Sequence, residues 1–235
     1  ARERSEILED LETGDVNILV GTHAVIRPDV RFANLGLVIT DEQHRFGVNQ
    51  RTLLAQKGEN PNILVMTATP IPRTLAVILY GDLDISVIDT LPAGRKPVRT
   101  FLRYGDSRKK IYDFVENQIK EGRQAYVVAP LIEESEAIDC KSAGEIYEEL
   151  CKSYPNLRIG LVHGAMKQQE KDFVMEAFAS GGIDILVSTV VIEVGIDVGN
   201  ATVMVIENCE RFGLAQLHQL RGRVGRSGHQ SYCIL

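Results

Sequence analysis

The sequence lacks any run of about 18 consecutive apolar residues, the minimum for a helix that spans a membrane. Its first ten residues, ARERSEILED, are mostly charged and contain no apolar segment, so they do not resemble a secretion signal. None of its four cysteines, Cys140, Cys151, Cys209 and Cys233, belongs to a C-x-x-C pair. The thiols therefore indicate neither a metal site nor a disulfide framework, and we expect a protein of a reducing compartment.

The charge balance excludes a uniformly basic surface, because the 235 residues carry a formal net charge of -6. Domains that bind nucleic acids are often basic, so this total argues against DNA binding. A local basic track can still lie on an acidic protein. The length exceeds one typical domain of roughly 100–200 residues, and the apolar content of 44% is ordinary for a globular protein.

Short apolar runs alternate with helix-length polar stretches along the chain. The predicted strands are 16–20, 35–40, 63–66, 98–102, 125–129, 158–162, 184–187, 203–206 and 231–235. The predicted helices are 106–121, 142–153, 167–179 and 215–220. This alternation is typical of parallel sheets with helices on both faces, and the first three strands are predicted to be buried. The segment 91–97, LPAGRKP, predicts a linker between two domains, residues 1–94 and 95–235.

An acidic pair, Asp41 and Glu42, directly follows the second of these strands. Ligands of open parallel sheets bind beyond the carboxyl ends of the strands. At such a place one carboxylate can hold Mg²⁺, directly or through water, while its neighbour takes a proton from an attacking water. The alternative is a solvated turn after a strand. His44 does not indicate zinc, because D-E-x-H lacks the H-E-x-x-H spacing.

Three arginines lie among glycines near the far end of the chain, in QLHQLRGRVGRSG (216–228). Glycines allow close backbone approach, and the side chains of Arg221, Arg223 and Arg226 offer rigid forks for phosphate oxygens. An arginine supplied from one domain to a phosphate held by another is the arginine-finger arrangement. The alternative is a flexible basic loop, although the predicted helix at 215–220 favours an ordered origin for these arginines.

A further polar cluster lies in LVSTVVIEVGIDVGN (186–200), where Thr189 closes a predicted strand and a turn at 195–197 precedes the next one. Spacing alone favours a plain strand–loop–strand connection here. Ser188 and Thr189 nevertheless fall at the carboxyl end of a strand, as Asp41 and Thr67 do.

Four of these clusters, in this order, resemble the signature boxes of superfamily 2 helicases and translocases. DEQH (41–44) resembles motif II, the Walker B box, and TAT (67–69) resembles motif III. Residues 189–197 resemble motif V, and QLRGRVGR (219–226) fits the motif VI pattern Q-x-x-G-R-x-G-R. The resemblance implies an α/β fold of RecA-like parallel sheets with flanking helices. Residues 1–94 would be part of a first helicase lobe and residues 95–235 a second lobe.

The stretches DEQHRFGVNQR (41–51) and MTATPIPRTLAVILYGDLDISVIDTLPAGRKPV (66–98) narrow the resemblance to a bacterial branch of the superfamily. Members of that branch remodel branched DNA, such as stalled forks and Holliday junctions, in recombination and repair. The branch implies ATP and Mg²⁺ as cofactors, branched or forked DNA as partner, no membrane, and a cytoplasmic location with the nucleoid. One alternative is a transcription-repair coupling translocase, which usually has Glu where Gln43 stands. The other is a non-catalytic RecA-like DNA-binding or scaffold module.

The resemblance also assigns roles to single residues. Those implied to serve ATP hydrolysis are Asp41 in the Mg²⁺ shell, Glu42 as base, Gln43 and His44 as γ-phosphate sensors, Gly195 and Asp197 near the nucleotide, and Gln219, Arg223 and Arg226 on the phosphates. Those implied to contact DNA or couple it to ATP are Thr22 and His23 in motif Ib, Thr67, Thr69, His163 with Gly164, and Thr189. Contacts of the second kind go to phosphates and do not read base sequence.

The chain contains no phosphate-binding loop of the form G-x-x-x-x-G-K-[ST]. In the resembling proteins this loop lies upstream of the segment with which the chain begins, so we expect the chain to be a fragment of a longer protein. The first lobe would then have an unpaired sheet edge, and we expect it to self-associate.

We expect the isolated chain to hydrolyse ATP far more slowly than the full-length protein. Nothing in its sequence replaces the backbone N–H groups and the lysine that a phosphate-binding loop supplies. Phosphate release in the presence of branched DNA, measured for both proteins, tests this. Turnover by the chain near the full-length rate would refute the expectation.

Overall fold

The computed structural model describes residues 2–41, 53–54, 56–67, 84–130, 136–189 and 198–235. The chain forms two compact units, Ala1–Leu83 and Asp84–Leu235. The division falls upstream of the predicted linker at 91–97, so that segment groups with unit 2. None of the helices in the described ranges combines the length and the apolarity that a membrane crossing requires.

Unit 1 begins with helix α1 (Arg2–Thr13), and a turn of 3₁₀ helix follows at His23–Ile26. Two parallel strands, β1 (Leu37–Thr40) and β2 (Asn62–Val65), pair along their whole length. The side chains of Ile26, Val38 and Leu54 form one buried apolar cluster beside them. The strands predicted at 35–40 and 63–66 are confirmed with shifted ends.

Two predictions for unit 1 are wrong. Residues 16–20 form no strand, and Ile18 and Val20 are 81% and 90% exposed. The strand β1 is not fully buried, because Leu37 and Ile39 are each more than half exposed. A buried strand needs a neighbour for its backbone groups and cover on both faces. An apolar run shows that a segment could use such partners, but it does not show that the fold provides them.

The described residues of unit 2 form six parallel strands in one sheet. They are β3 (Arg99–Phe101), β4 (Gln124–Val128), β5 (Ile159–Val162), β6 (Ile185–Ser188), β7 (Ala201–Ile206) and β8 (Tyr232–Ile234). The order across the sheet is β3-β8-β7-β4-β6-β5. Every residue of β4, β6 and β7 is buried, as is typical of inner strands covered on both faces. All six predicted strands of this unit are confirmed.

Helices cover both faces of this sheet. They are α2 (Arg108–Lys120), α3 (Glu136–Ser153), α4 (Gln168–Ala179) and α5 (Leu214–Arg221), close to the four predicted helices. Because side chains alternate along a strand, Tyr126 of β4 packs with α4 and α5, whereas its neighbour Val127 packs with α2 and α3. The result is the predicted α/β layering of a RecA-like sheet with flanking helices.

An ion pair with one largely buried partner, Asp184, ties the start of β6 to the segment that enters β5. The carboxylate of Asp184 accepts hydrogen bonds from the backbone N–H of Arg158 at 2.8 Å and from its guanidinium. Burial alone would raise the pKa of Asp184. The hydrogen bonds and charge of Arg158 outweigh that effect and hold the pKa below its ordinary value of 3.8.

We expect Asp184→Asn to destabilise the chain by about 1 kcal/mol at neutral pH, since Arg158 is largely solvent-exposed and screening weakens the pair. A lowered carboxyl pKa stabilises the fold above the unfolded-state pKa. That contribution is lost as pH falls through the folded-state pKa. Urea unfolding at pH 7 and below about pH 4 should therefore show a difference from wild type that shrinks with acid.

The exposed pair between Lys152 and Glu148 offers a matched control. Glu148→Gln removes a carboxylate charge in the same way, but from a solvated helix surface, and should change stability by less than about 0.5 kcal/mol at both pH values. If both substitutions changed stability equally at neutral pH, the Asp184–Arg158 pair would contribute no more to stability than an exposed ion pair does.

Candidate functional site

The carboxyl edge of the unit 1 sheet brings two predicted site residues together. Thr40 pairs with Val65, and the N–H of Met66 donates to the Thr40 carbonyl at 2.8 Å. Asp41 and Thr67 therefore follow neighbouring strand ends, and both are exposed. Of their sequence partners, Glu42, Gln43, His44 and Thr69 lie outside the described residues. An exposed carboxylate at this edge fits a Mg²⁺ ion that keeps most of its waters.

The predicted motif Ib lies at the start of the 3₁₀ turn of unit 1, where Thr22 precedes the turn and His23 is its first residue. Thr22 is exposed, and its carbonyl accepts a bond from the N–H of Val25 at 3.1 Å. Downstream, Lys57 Nζ donates to the carbonyls of Arg27 and Val30, at 2.7 Å each, and so fastens the turn that follows. Burial lowers the pKa of Lys57 against the opposing effect of nearby Asp29. The sequence pattern gave no signal for Lys57.

The carboxyl edge of the unit 2 sheet places His163 and Thr189 side by side. Val162 pairs with Ser188, and the N–H of Thr189 donates to the Val162 carbonyl at 3.3 Å. The Thr189 side chain is only 1% exposed, and its hydroxyl has no hydrogen-bond partner among the described residues. Lys171 Nζ donates a hydrogen bond to the Gly164 carbonyl at 2.8 Å and so stabilises the loop after β5. Gly195 and Asp197 lie outside the described residues.

The arginine loop, residues 222–231, follows α5 and leads into β8. Gln219 and Arg223 are half-buried and Arg226 is exposed. The Nε of Arg226 donates to the Gly222 carbonyl at 3.3 Å. Val224, which lies between Arg223 and Arg226 in the sequence, is buried in the core. Arg221 differs from both, because its guanidinium contacts the ring of His218 on α5 at 3.0 Å.

This loop lies at the amino edge of the sheet, where the strands begin. Ser231 directly precedes β8, and its carbonyl accepts a bond from the N–H of Arg99 at 2.9 Å, at the start of β3. His163 and Thr189 follow strand ends at the opposite, carboxyl edge. Within unit 2 the structure therefore brings the two predicted DNA contacts together and keeps the predicted phosphate-binding arginines away from them.

A polar cluster around the buried side chain of Tyr112, at the carboxyl end of β7, did not figure in the sequence predictions. The hydroxyl of Tyr112 donates to Glu207 at 2.6 Å, and Arg108 lies 3.2 Å from both Glu207 and Glu149. Burial, reinforced by Glu207, raises the pKa of Tyr112 well above its usual value. The cluster borders a cavity of about 220 Å³. Glu207 follows an apolar strand as Asp41 does, so the same sequence signal could have found it.

The described residues contain no group of three or more His, Cys, Asp or Glu side chains that could hold a metal ion. A buried protein-only metal centre is thus not part of the described structure. The polar groups present are exposed carboxylate at one sheet edge and guanidinium groups on an ordered loop, which suit a hydrated Mg²⁺ and phosphate oxygens, respectively.

Family models agree with this architecture. Residues 106–228 match the helicase conserved C-terminal domain, and residues 1–78 match the DEAD/DEAH box helicase. The first match covers more than half of the chain, so the chain belongs to the helicase family that this domain defines.

Some members of that family share more than half of their aligned residues with this chain. ATP-dependent DNA helicase RecG of Thermotoga maritima is 57% identical over 234 residues, which cover 99% of this chain and 30% of that protein. RecG of Bacillus subtilis is 54% identical over 235 residues, covering 100% and 34%. The chain thus spans about a third of the length of these relatives. The structure of RecG bound to a three-way DNA junction matches with 54% identity and a TM-score of 0.76, over 100% of this chain and 30% of that one.

We expect Gly225→Ala to destabilise unit 2 more than Gly122→Ala. Both glycines have a left-handed backbone, with φ of +80° and +81°, so an alanine at either pays about 1 kcal/mol of strain. Only at Gly225 would the new Cβ meet another side chain, Val98 Cγ2 at 2.6 Å, which adds about 1–3 kcal/mol for overpacking.

Thermal or urea unfolding of the two variants beside wild type measures the difference. At Gly122 nothing lies within 4 Å of the new Cβ, so this variant isolates the backbone term. Equal losses at the two positions would contradict a close packing of the arginine loop on Val98.

Proposed function

We propose that this chain forms the motor region of an ATP-dependent DNA helicase of the RecG type, which acts on branched DNA. The proposal is supported by identities of 54–57% to RecG over nearly the whole chain, and by the likeness to RecG bound to a three-way junction. Because those proteins are about three times longer, their activity and substrates are extended to this chain by inference.

The observation that carries the proposal is the placement of polar groups at the two edges of the unit 2 sheet. His163 and Thr189 follow adjacent strands at the carboxyl edge, where ligands of parallel sheets bind. The arginines of the loop 222–231 lie at the opposite edge. A motor that consumes ATP at one place and grips DNA at another needs two such sites on one rigid body.

For ATP hydrolysis, Glu42 would take a proton from the attacking water, and Asp41 would hold Mg²⁺. Bound Mg²⁺ supplies charge neutralisation on the β- and γ-phosphates. Arg223 and Arg226 stabilise the negative charge that grows on the transferring phosphoryl group, as arginine fingers do. We assign sensing of the γ-phosphate to Gln43 and His44, a place near the nucleotide to Gly195 and Asp197, and a contact with the phosphates to Gln219.

In the DNA half of the proposed site, loop residues contact the phosphate backbone without reading bases. The residues assigned to these contacts are Thr22, His23, His163 with Gly164, and Thr189, while Thr67 and Thr69 couple the ATP site to the DNA. Thr189 is buried, so it serves this contact by holding the loop after β6 in place and not by touching DNA itself. Recognition of phosphates alone suits translocation, since a moving motor must grip any sequence.

Two further parts of the proposal concern the surroundings of the protein. Unit 1 exposes Leu37, Ile39 and Leu64 on its two-stranded sheet, which supports self-association of the isolated chain. A cytoplasmic location, in contact with chromosomal DNA, follows from the proposed substrate and fits the free thiols described for Cys151, Cys209 and Cys233.

Glu42→Gln in the full-length protein tests the proposed chemistry. The amide keeps the shape of the side chain but cannot accept the proton, so we expect DNA-stimulated ATP hydrolysis to fall by about 100-fold or more. Unwinding of a three-way junction should fall in parallel, while binding of the same junction persists. The measurements are phosphate release, strand separation and a gel-shift titration.

Glu59→Gln is a suitable control, because Glu59 is an exposed acid outside the proposed site and should leave all three measurements unchanged. Junction unwinding that survives Glu42→Gln would favour the non-catalytic scaffold interpretation over a motor.

A further inference from the structure

The arginine loop rests directly on the segment that leads into β3. Gly225, the residue before Arg226, has so little room that an added Cβ would lie 2.6 Å from Val98 Cγ2 and 4.0 Å from the Lys96 carbonyl. Val98 is partly buried and packs against the core cluster that contains Val224. The backbone between the two arginines is therefore set by the position of the Val98 side chain.

The end of the loop is fastened to the same segment by a side-chain amide. The Nε2 of Gln230 donates to the Pro97 carbonyl at 2.9 Å and to the Ser231 carbonyl at 3.1 Å. The neighbouring N–H of Arg99 donates to the Ser231 carbonyl at 2.9 Å and begins the pairing of β3 with β8. Gln230 thus joins the loop to the residue that precedes Val98.

We propose that Val98 and Gln230 are positioning residues that hold the arginine loop in place on the segment 96–98 and thereby orient Arg223 and Arg226. The inference rests on the proposed function, in which these arginines stabilise the charge of the transferring phosphoryl group. A displacement of about 1 Å in a catalytic group can lower the rate by up to about 100-fold. The position of the loop therefore affects catalysis even though neither Val98 nor Gln230 touches ATP. The segment 96–98 thereby belongs to the catalytic apparatus of unit 2 as well as to the chain that enters β3.

The test uses DNA-stimulated ATP hydrolysis by the full-length protein carrying Val98→Ala or Gln230→Met. Val98→Ala removes the methyl group beneath Gly225, and Gln230→Met keeps the length of the side chain but removes its donor. We expect each to lower kcat by about 10-fold, with the KM for ATP and the Kd for junction DNA unchanged. A loss confined to kcat is the signature of an interaction that acts on the transition state.

Two controls separate positioning from general destabilisation. Val174→Ala makes the same truncation on α4, against the same core cluster, and Gln118→Met removes an amide that donates to Glu121 at the end of α2. Both should retain wild-type kcat. Thermal unfolding should show that Val174→Ala and Val98→Ala lose similar stability, and Gln230→Met decides the matter if Val98→Ala does not fold.

Wild-type kcat in Gln230→Met together with wild-type kcat in a folded Val98→Ala would overturn the proposal, and so would an equal loss of kcat in Val174→Ala. Arg226→Ala and Arg223→Ala distinguish this failure from that of the proposed function. If the two arginine variants together kept full ATP hydrolysis, the proposed function itself would fail. If they lost it while Val98→Ala and Gln230→Met kept it, only the seating of the loop would be wrong.

Discussion

Burial of the inner strands β4, β6 and β7 on both faces is the constraint on which the rest of unit 2 depends. Strands covered on both faces are mostly apolar, and the buried polar residues of these three, Gln124, Ser188 and Thr202, lie at or next to a strand end. Because the strands are parallel, their amino ends lie at one edge of the sheet and their carboxyl ends at the other. Different polar residues lie at the two edges. The carboxyl edge holds His163, Thr189 and Glu207, and the amino edge holds the arginine loop.

The sheet keeps the arginine loop at one edge and His163 with Thr189 at the other. The connection from β7 to β8 runs from one edge to the other through α5, whose eight residues span about 12 Å. Buried side chains of α5 and of the loop, Leu220 and Val224, pack in the same core cluster as Val162 of β5. A close-packed core transmits small displacements, so the two edges are mechanically linked.

The contrast between the two units shows what a sheet needs from its surroundings. In unit 1 the two described strands leave Leu37 and Ile39 exposed, although their composition is as apolar as that of β6. In unit 2 the alternating faces of β4 meet helices on both sides, so Tyr126 and Val127 are equally buried. Covering elements, and not strand composition, separate the two outcomes.

The alternation of strands and helices in unit 2 could be predicted from the sequence, because apolar periodicity follows directly from burial. The sequence also shows which residue types stand at strand ends, including Asp41, Thr67, His163 and Thr189. The packing of the fold shows that 16–20 is not a strand, that the arginine loop lies at the edge opposite His163, and that Lys57, Val98 and Gln230 hold the loops beside the predicted site residues. The physical reason is that such contacts join residues far apart in the chain. Spacing along a sequence records what a segment can do locally, whereas strand order and loop packing depend on which distant surfaces meet.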